Sequence, residues 1–558
     1  MLLIINVLFV LYSCLAKDLP RVTLKDGSVE GYYKSTLSGT EYSAFEGIPY
    51  AYKPIGKYRF EEPKPIKPWK GTWQAKTLST CMQYYQYTKP GDDFVIGDED
   101  CLHVNVYTKS TNPKHLKNVI VFIHGGAFMF NSGGSYGERF LMDYDVIYVT
   151  FNYRLGPLGF LSTEDRVVPG NNGLKDQQLA LKWIKENIQR FGGNPDSVTL
   201  AGMSAGGSSV HYHTMAPIKN DVQLFHKAII QSGTALNPWS QTENSREKAL
   251  KMGAILGCPT HDTYEMLKCM KLRPGKQIVA AVKQFQPWLY NPFTPFGVVV
   301  DKWSENPIVP QHPYKTLKEK NVMSVPTIFS NVQSEGLYPS AEFYGDNHFD
   351  EIDARWNEII PHLLEYNYTL NPTEKLDVSS KIKQFYFGNE KPSRDNFNKF
   401  IEMISDRIFL VDIEKSVRLH AAANEESTYY YYYGYQALHS KVEPRLKTRN
   451  IFGPAHGDDT ILILSTNIDT TSNKEDKEMS TILQDMWVEF CATKKPKVLD
   501  VNWESVSKDV SKPIKFLRIN SKDDIHMEQK EYLGNRINFW NTLPFKENEK
   551  LLNMKDEL

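Results

Sequence analysis

The sequence predicts an α/β protein built around a large, mostly parallel sheet with helices on both faces. Residues 119–123, 146–150 and 228–231 are fully apolar or β-branched runs, as strands covered on both faces are. Between two of these runs, residues 174–191 repeat apolar side chains at helical spacing. This alternation of strand and helix is typical of a parallel sheet wound with helices.

The rest of the chain extends this core. Residues 21–52 predict antiparallel strands with a turn at Asp26-Gly27. Residues 240–325 and 340–425 contain helical stretches, aromatic clusters and prolines, and are predicted to be helical excursions that wall an active-site gorge. Strand patterns return at 327–329 and at 429–433, where five tyrosines are better explained by a covered strand than by a binding surface. Residues 479–490 and 531–540 predict outer amphipathic helices.

Composition points to one large globular domain over 17–558. The chain has 558 residues, a formal net charge of -1 and 41% hydrophobic residues. This balance does not favour a nucleic acid or a membrane surface as partner. Neither a repeat nor a Gly/Ser- or Pro-rich linker divides the sequence.

The two ends predict a resident of the endoplasmic reticulum lumen. Residues 1–16 are apolar and end in small residues, which indicates a signal peptide; a membrane anchor or buried helix fits this short length less well. The last residues, 555–558, are Lys-Asp-Glu-Leu, the signal that the KDEL receptor reads for retention, although a simple charged terminus has the same composition. Asn367 begins the N-x-[ST] sequence of a glycosylation site.

Removal of the signal peptide leaves five of the six cysteines in an oxidising compartment. Pairing neighbours gives two bridges that close short loops, Cys81–Cys101 and Cys258–Cys269. Cys491 lies in an apolar helical run and is predicted to be a buried free thiol. Because C-x2-C spacing is absent, the sequence does not support a zinc site.

The clearest chemical motif is the run Gly202-Met203-Ser204-Ala205-Gly206, which fits G-x-S-x-G. The apolar run 197–201 enters it and small residues of a predicted helix leave it. This context is that of the nucleophile elbow of α/β-hydrolases, which exposes a serine hydroxyl at a tight strand-to-helix turn. Residues 133–137 match the motif around Ser135, but neither a strand nor a helix flanks them. We therefore predict Ser204 as the nucleophile and a loop around Ser135.

A serine nucleophile needs a base, and the base needs an acid that orients it. In α/β-hydrolases the order along the chain is serine, acid, histidine. His456 lies in a loop shaped by Gly453, Pro454 and Gly457, and Glu335 follows the predicted strand 327–329. The alternatives of the same residue types, in poorer contexts, are His420, His439, Asp301 and Asp346.

The oxyanion formed by serine attack needs preorganised N–H donors. The predicted strand at 119–123 runs directly into His124-Gly125-Gly126-Ala127, which resembles the glycine-rich HGGG-type loop of esterases with alanine at its last place. The predicted donors are the amides of Gly125, Gly126 and Ala205.

Four further segments carry a resemblance to a known family. They are Phe-Glu-Gly-Ile-Pro-Tyr-Ala at 45–51, Glu-Asp-Cys-Leu-His-Val-Asn-Val at 99–106, Asn-Tyr-Arg-Leu-Gly at 152–156 and Gly-Gly-Asn-Pro at 192–195. With these motifs the chain resembles the type-B carboxylesterases, which include cholinesterases and insect juvenile hormone esterases. The resemblance implies an α/β-hydrolase fold, a Ser204, Glu335 and His456 triad, both disulfides named above, and ester hydrolysis without a cofactor.

Two departures from the family pattern concern the substrate. The position before the nucleophile is commonly glutamate in the family and is Met203 here, and the 81–101 loop lacks the tryptophan of cholinesterases. That loop offers only Tyr84, Tyr85, Tyr87 and Phe94. We therefore expect a serine esterase of neutral hydrophobic esters that acts through an acyl-enzyme. The alternatives are a juvenile hormone esterase, or a silent adhesion or carrier protein on the same fold.

Overall fold

The structure is a computed structural model that describes residues 18–86, 94–217, 222–448, 450, 452–545 and 548. The predicted signal peptide at 1–16 and the tail at 555–558 lie outside these residues. The strands are Arg21–Thr23 (β1), Ser28–Glu30 (β2), Tyr32–Ser35 (β3), Glu41–Pro49 (β4), Thr72–Gln74 (β5), Gln83–Tyr84 (β6), Val95–Ile96 (β7), His103–Thr108 (β8), Lys117–Ile123 (β9), Val146–Phe151 (β10), Gly193–Met203 (β11), Lys227–Gln231 (β12), Thr327–Val332 (β13), Thr428–Tyr433 (β14), Lys515–Ser521 (β15) and Asp524–Gln529 (β16).

The helices are Gly156–Phe160 (α1), Asn172–Asn187 (α2), Ala205–Met215 (α3), Ser245–Ile255 (α4), Thr263–Lys271 (α5), Gly275–Ala280 (α6), Pro313–Lys318 (α7), Leu337–Gly345 (α8), Phe349–Ala354 (α9), Trp356–Leu363 (α10), Pro372–Phe387 (α11), Phe397–Ser405 (α12), Val411–Ala423 (α13), Glu443–Leu446 (α14), Thr460–Ile463 (α15), Lys474–Thr493 (α16) and Asn535–Thr542 (α17). In the described part of the chain no helix combines the length and apolar character needed to cross a membrane.

An eleven-stranded mixed sheet forms the centre of the molecule, in the order β16-β15-β14-β13-β12-β11-β9-β10-β8-β4-β3. The strands from β15 to β10 in this order run parallel. The edge strands β16 on one side and β8, β4 and β3 on the other are antiparallel. The predicted mostly parallel sheet is therefore confirmed, with its antiparallel part at the amino-terminal end of the chain and at the far edge.

Both faces of this sheet are buried. In β9, Val119, Val121 and Ile123 point into one hydrophobic core, whereas Ile120 and Phe122 point into a second core on the opposite face. The tyrosines of β14 divide between the same two cores and are all buried. Helix α16 supplies Trp487 to the second core. The tyrosine run is therefore a covered strand, because each of its two faces packs against helices.

The helical excursions follow β12 and β13, where α4–α7 and α8–α13 leave the sheet. The structure contains the disulfides Cys81–Cys101 and Cys258–Cys269 and a free, buried Cys491. Helix α16 is longer than the predicted 479–490 at both ends, and the predicted helix 531–540 is wrong at its start, because α17 begins at Asn535. The reason is Gly534, whose φ of 51° ends a preceding turn in which its N–H donates to Glu531 O.

Candidate active site

Ser204 lies at the turn between β11 and α3, with φ 61° and ψ -126°. The flanking glycines have no room for a side chain. A Cβ on Gly202 would lie 2.4 Å from the carbonyl carbon of Gly206, and one on Gly206 would lie 2.0 Å from Ile123 O. Since only glycine fits such close backbone approaches, the G-x-S-x-G pattern is what allows this turn. The Ser204 N–H donates to Gln231 O at 2.8 Å, which ties the turn to the end of β12.

Glu335 and His456 form a buried pair. The distance between Glu335 Oε2 and His456 Nδ1 is 2.5 Å. The second carboxylate oxygen of Glu335 accepts the N–H of Val332, the last residue of β13, at 2.9 Å. With Nδ1–H donating to the carboxylate, Nε2 is the ring nitrogen that can take a proton.

The loop that carries His456 is held from both sides. Asp458 accepts the N–H of Ala455 at 2.8 Å and the hydroxyl of Ser440 at 3.0 Å. Burial raises the pKa of Asp458 to about 7.

The ring of Phe409 lies 4.6 Å from the imidazole of His456, centroid to centroid. Phe409 belongs to a π-helical turn, Asp406–Leu410. No local sequence pattern marks it as a site residue, because apolar residues in helices usually serve the core.

Ser204 and His456 line one cavity of about 860 Å³. No hydrogen bond joins the two side chains among the described residues, and such bonds are often loose in hydrolases without substrate. Apolar and aromatic side chains form a large part of the remaining wall and come from segments far apart in the sequence: Phe130, Trp239, Phe293, Tyr338, Leu363 and Phe409. A cavity of this composition suits a hydrophobic ligand.

The glycine-rich loop lies directly against the serine turn. A Cβ on Gly125 would lie 2.8 Å from Ser204 Cβ, and Gly126, with φ 111°, lines the cavity. Neither glycine donates its N–H to another group in the described part of the chain. Ala205 is the first residue of α3, so its N–H lies at the positive end of that helix. The three predicted donors are thus brought together beside the serine.

His124 shapes this loop. Its Nδ1 lies 2.8 Å from Gly125 O and its ring stacks on Tyr153 at 4.4 Å. Burial lowers the pKa of His124 to about 4, against a weaker opposing effect of the bond to Gly125. The imidazole is therefore neutral near pH 7, and its Nδ1–H fixes the carbonyl of the first glycine.

The alternatives weighed from the sequence lie elsewhere. Ser135 borders the same cavity but is exposed on the short turn Gly133–Ser135, with its hydroxyl 3.2 Å from that of Ser132. The other candidates are engaged away from Ser204. Asp301 accepts two backbone N–H groups, Asp346 pairs with Lys447, His439 lies near Glu443, and His420 is buried beside His211.

The Cys81–Cys101 loop contributes one aromatic ring to the cavity among its described residues. Tyr85 lines the cavity, whereas Tyr84 and Phe94 stack on each other at 5.7 Å. Tyr87 lies outside the described residues. Across the residues the structure describes, no cluster of three or more His, Cys, Asp or Glu side chains is arranged to hold a metal ion.

Comparisons with known proteins show what this chain is similar to. The family model described as "Carboxylesterase family" matches residues 18–540. Venom carboxylesterase-6 of Apis mellifera is 42% identical over 545 residues, 97% of each chain. Esterase E4 of Myzus persicae is 38% identical over 533 residues, 94% of this chain and 95% of its own. A crystal structure of juvenile hormone esterase from Manduca sexta, with OTFP covalently attached, superposes with a TM-score of 0.82. It is 25% identical and covers 94% of this chain and 99% of its own.

Proposed function

Because the chain belongs to the carboxylesterase family and is a carboxylic-ester hydrolase, we propose that it works through an acyl-enzyme on Ser204. The observation that carries the proposal is the shared cavity of Ser204 and His456, with Glu335 bonded to the imidazole. These are the nucleophile, base and orienting acid that acyl transfer needs. The alternative from the sequence is a catalytically silent carrier. Such a protein does not require a nucleophile, a base and an acid in one cavity.

In the first half of the proposed reaction, Ser204 Oγ attacks the ester carbonyl carbon and its proton passes to His456 Nε2. The carbonyl electron pair moves to oxygen, where the N–H groups of Gly125, Gly126 and Ala205 stabilise the charge. As the tetrahedral intermediate collapses, the bond to the alcohol oxygen breaks and the alcohol leaves with the proton from His456. Glu335 holds the imidazole and stabilises its charged form.

In the second half, water attacks the acyl carbon and gives its proton to His456. Collapse then breaks the bond to Ser204 Oγ, which recovers the proton as the carboxylic acid leaves. No cofactor takes part in either half.

The test is a stopped-flow experiment with a 4-nitrophenyl ester, in which a burst of nitrophenol equal to the enzyme concentration is expected before the steady state. If deacylation is too fast for a burst, hydroxylamine is added as a competitor of water for the acyl group. A ratio of hydroxamate to carboxylic acid that is the same for esters of different alcohols would support a common acyl-enzyme. Ratios that change with the alcohol would contradict the acyl-enzyme.

The proposed substrates are hydrophobic esters, with neutral esters preferred over cationic ones. Support comes from the aromatic wall and from Met203, an apolar and adaptable side chain at the place of a carboxylate. Juvenile hormone ester hydrolysis is a narrower candidate, favoured by the structural likeness to the Manduca sexta enzyme. A predicted retention signal argues against a circulating role. A kinetic profile over esters of varied acyl and alcohol size, with juvenile hormone included, separates the two.

We further propose that residues 17–558 form one domain in the endoplasmic reticulum lumen after loss of residues 1–16. Eleven strands share one sheet, the first at Tyr32–Ser35 and the last at Asp524–Gln529, which supports the single domain. The carboxyl-terminal Lys-Asp-Glu-Leu would bind the KDEL receptor. Deleting 555–558 should send active enzyme into the medium, and continued retention would contradict the proposal.

Asn367 is the proposed glycosylation site, and Asn367→Gln should remove an endoglycosidase-sensitive mass.

A further inference from the structure

Lys441 brings an ammonium group into the wall of the cavity. It precedes α14, is half-buried, and lines the same cavity as Ser204 and His456. Its Nζ lies 4.9 Å from the centre of the Tyr136 ring. In the described part of the chain, no carboxylate forms an ion pair with this Nζ and no acceptor forms a hydrogen bond with it. Tyr136 therefore supplies a cation–π contact but no compensating charge.

The two carboxylates that act on Lys441 over a longer distance, Asp458 and Asp459, are already engaged by other groups. Asp458 accepts from Ala455 N and Ser440 Oγ. Asp459 accepts from Tyr431 OH at 2.8 Å, Gln231 Nε2 at 3.0 Å and Thr460 N at 2.8 Å. Burial lowers the pKa of Lys441, while Tyr338, Asp458 and Asp459 oppose this effect. A desolvated ammonium without an ion-pair partner gains more from an anionic ligand than a solvated one does.

The ammonium also lies close to the reacting groups. A Cβ on Gly457, the residue after His456, would lie 2.9 Å from Met203 Cε and 3.6 Å from Lys441 Nζ. The tip of Met203 and the ammonium therefore both lie near Gly457, the neighbour of His456 in the chain, and Met203 directly precedes Ser204. A glutamate at position 203, as in the family pattern, would place a carboxylate beside this ammonium. The methionine adds no negative charge at that place.

We propose that Lys441 forms an anion subsite within the cavity, so that the enzyme favours hydrophobic esters carrying a carboxylate over neutral esters of the same shape. The inference rests on the proposed esterase function and narrows its substrate class. It also gives a reason, besides the missing carboxylate, why a cationic ester is disfavoured. The carboxylate of the substrate belongs to its alcohol part or to its acyl part, and the two parts are tested separately.

The test compares two pairs of substrates. For the alcohol part, the butyrate ester of 4-hydroxybenzoate is matched with that of 4-hydroxybenzamide. For the acyl part, the 4-nitrophenyl monoester of glutaric acid is matched with the 4-nitrophenyl ester of glutaramic acid. The measured quantity is the anionic-to-neutral ratio of kcat/KM. Comparing this ratio between wild type and Lys441→Met cancels the intrinsic reactivity of each ester.

In at least one pair, Lys441→Met should lower the ratio by about tenfold or more, the size of a partly buried charged hydrogen bond. Lys441→Arg should retain most of the ratio. The control is Arg139→Met, which removes an exposed cation from the border of the same cavity and should leave the ratio unchanged. A ratio that is the same in wild type and Lys441→Met for both pairs, or an equal fall in Arg139→Met, overturns the subsite.

Turnover of the neutral esters separates this inference from the proposed function. If the subsite is wrong but the esterase mechanism is right, all variants hydrolyse the neutral esters and only the ratios fail to change. If the mechanism is wrong, neutral turnover does not depend on Ser204. Should Lys441→Met not fold, inhibition of the wild-type enzyme decides: benzoate should compete with a neutral ester at a clearly lower Ki than benzamide, and equal Ki values would overturn the subsite.

Discussion

Two loops of this molecule fit the same five-residue motif and border the same cavity, yet they differ in structure. In 202–206 a strand enters and a helix leaves, so Ser204 lies at a turn with φ 61°. In 133–137 the chain forms a short 3-10 turn, and Ser135 is exposed. The motif alone therefore does not indicate a nucleophile; the strand and helix that compress the turn at 202–206 are needed as well.

The glycines show the same contrast. A side chain on Gly206 would collide with the backbone carbonyl of Ile123, whereas one on Gly134 would meet only the flexible tip of Leu78, at 3.0 Å. Backbone cannot move aside as a leucine methyl group can. The elbow glycines are therefore required by geometry, and Gly134 is not. In the second loop the two motif glycines are less crowded than Gly206: the nearest backbone atom to a Cβ on Gly133 or Gly137 lies at 3.0 Å.

The largest expected effect separates the two serines directly. Ser204→Ala should lower kcat for a 4-nitrophenyl ester by about 10⁶-fold, because the covalent step loses its nucleophile. Ser135→Ala should stay within about twofold of wild type, as for a substitution at an exposed site. Circular dichroism of both variants checks folding. A folded, active Ser204→Ala enzyme would remove the distinction between the loops.

The next largest expected effect concerns the proposed acid of the triad. Glu335→Gln should lower kcat by about 10⁴-fold, since the amide no longer stabilises the histidine in its charged form or fixes its tautomer. The matched control is Asp346→Asn, a carboxylate at the surface that pairs with Lys447. It should retain wild-type turnover. A loss of turnover in Asp346→Asn equal to that in Glu335→Gln would point to the wrong acid.

A smaller effect concerns stability. Gly206→Ala should destabilise the fold by about 3 kcal/mol, the upper range for overpacking, because its Cβ would lie 2.0 Å from Ile123 O. Gly134→Ala should cost no more than about 0.5 kcal/mol, since Leu78 can rotate away. Chemical denaturation of both variants measures the difference. Equal midpoints would mean that the elbow is less tightly packed than its geometry indicates.

The smallest expected effect concerns charge in the cavity. The neutral 3,3-dimethylbutyl butyrate should have a higher kcat/KM than its cationic isostere butyrylcholine, by about 2- to 30-fold if one cation–π contact is missing. Tyr85 is the aromatic ring that the described part of the disulfide loop offers to the cavity. Met203→Glu should reduce the difference in kcat/KM between the two esters, because it introduces a carboxylate beside Ser204. A clear wild-type preference for butyrylcholine would contradict this account of the cavity.

Sequence patterns predicted the sheet, the elbow strand and the buried tyrosine strand because burial on both faces leaves a continuous apolar signature. The same patterns could not identify Phe409 or Lys441 as cavity residues. Both residues lie in segments that connect strands of the sheet. The positions of these segments depend on packing between distant parts of the chain. The start of α17 was also missed, because the helical periodicity of 531–540 does not reveal the turn that ends at Gly534.

The most direct test of the account is to find which serine an organophosphate modifies. The protein is treated with a fluorophosphonate, digested and mapped by mass spectrometry. The adduct is expected on Ser204 in the wild type and in Ser135→Ala, and should be absent in Ser204→Ala. An adduct on Ser135, or on any other serine while Ser204 stays unmodified, would contradict the assignment of the nucleophile.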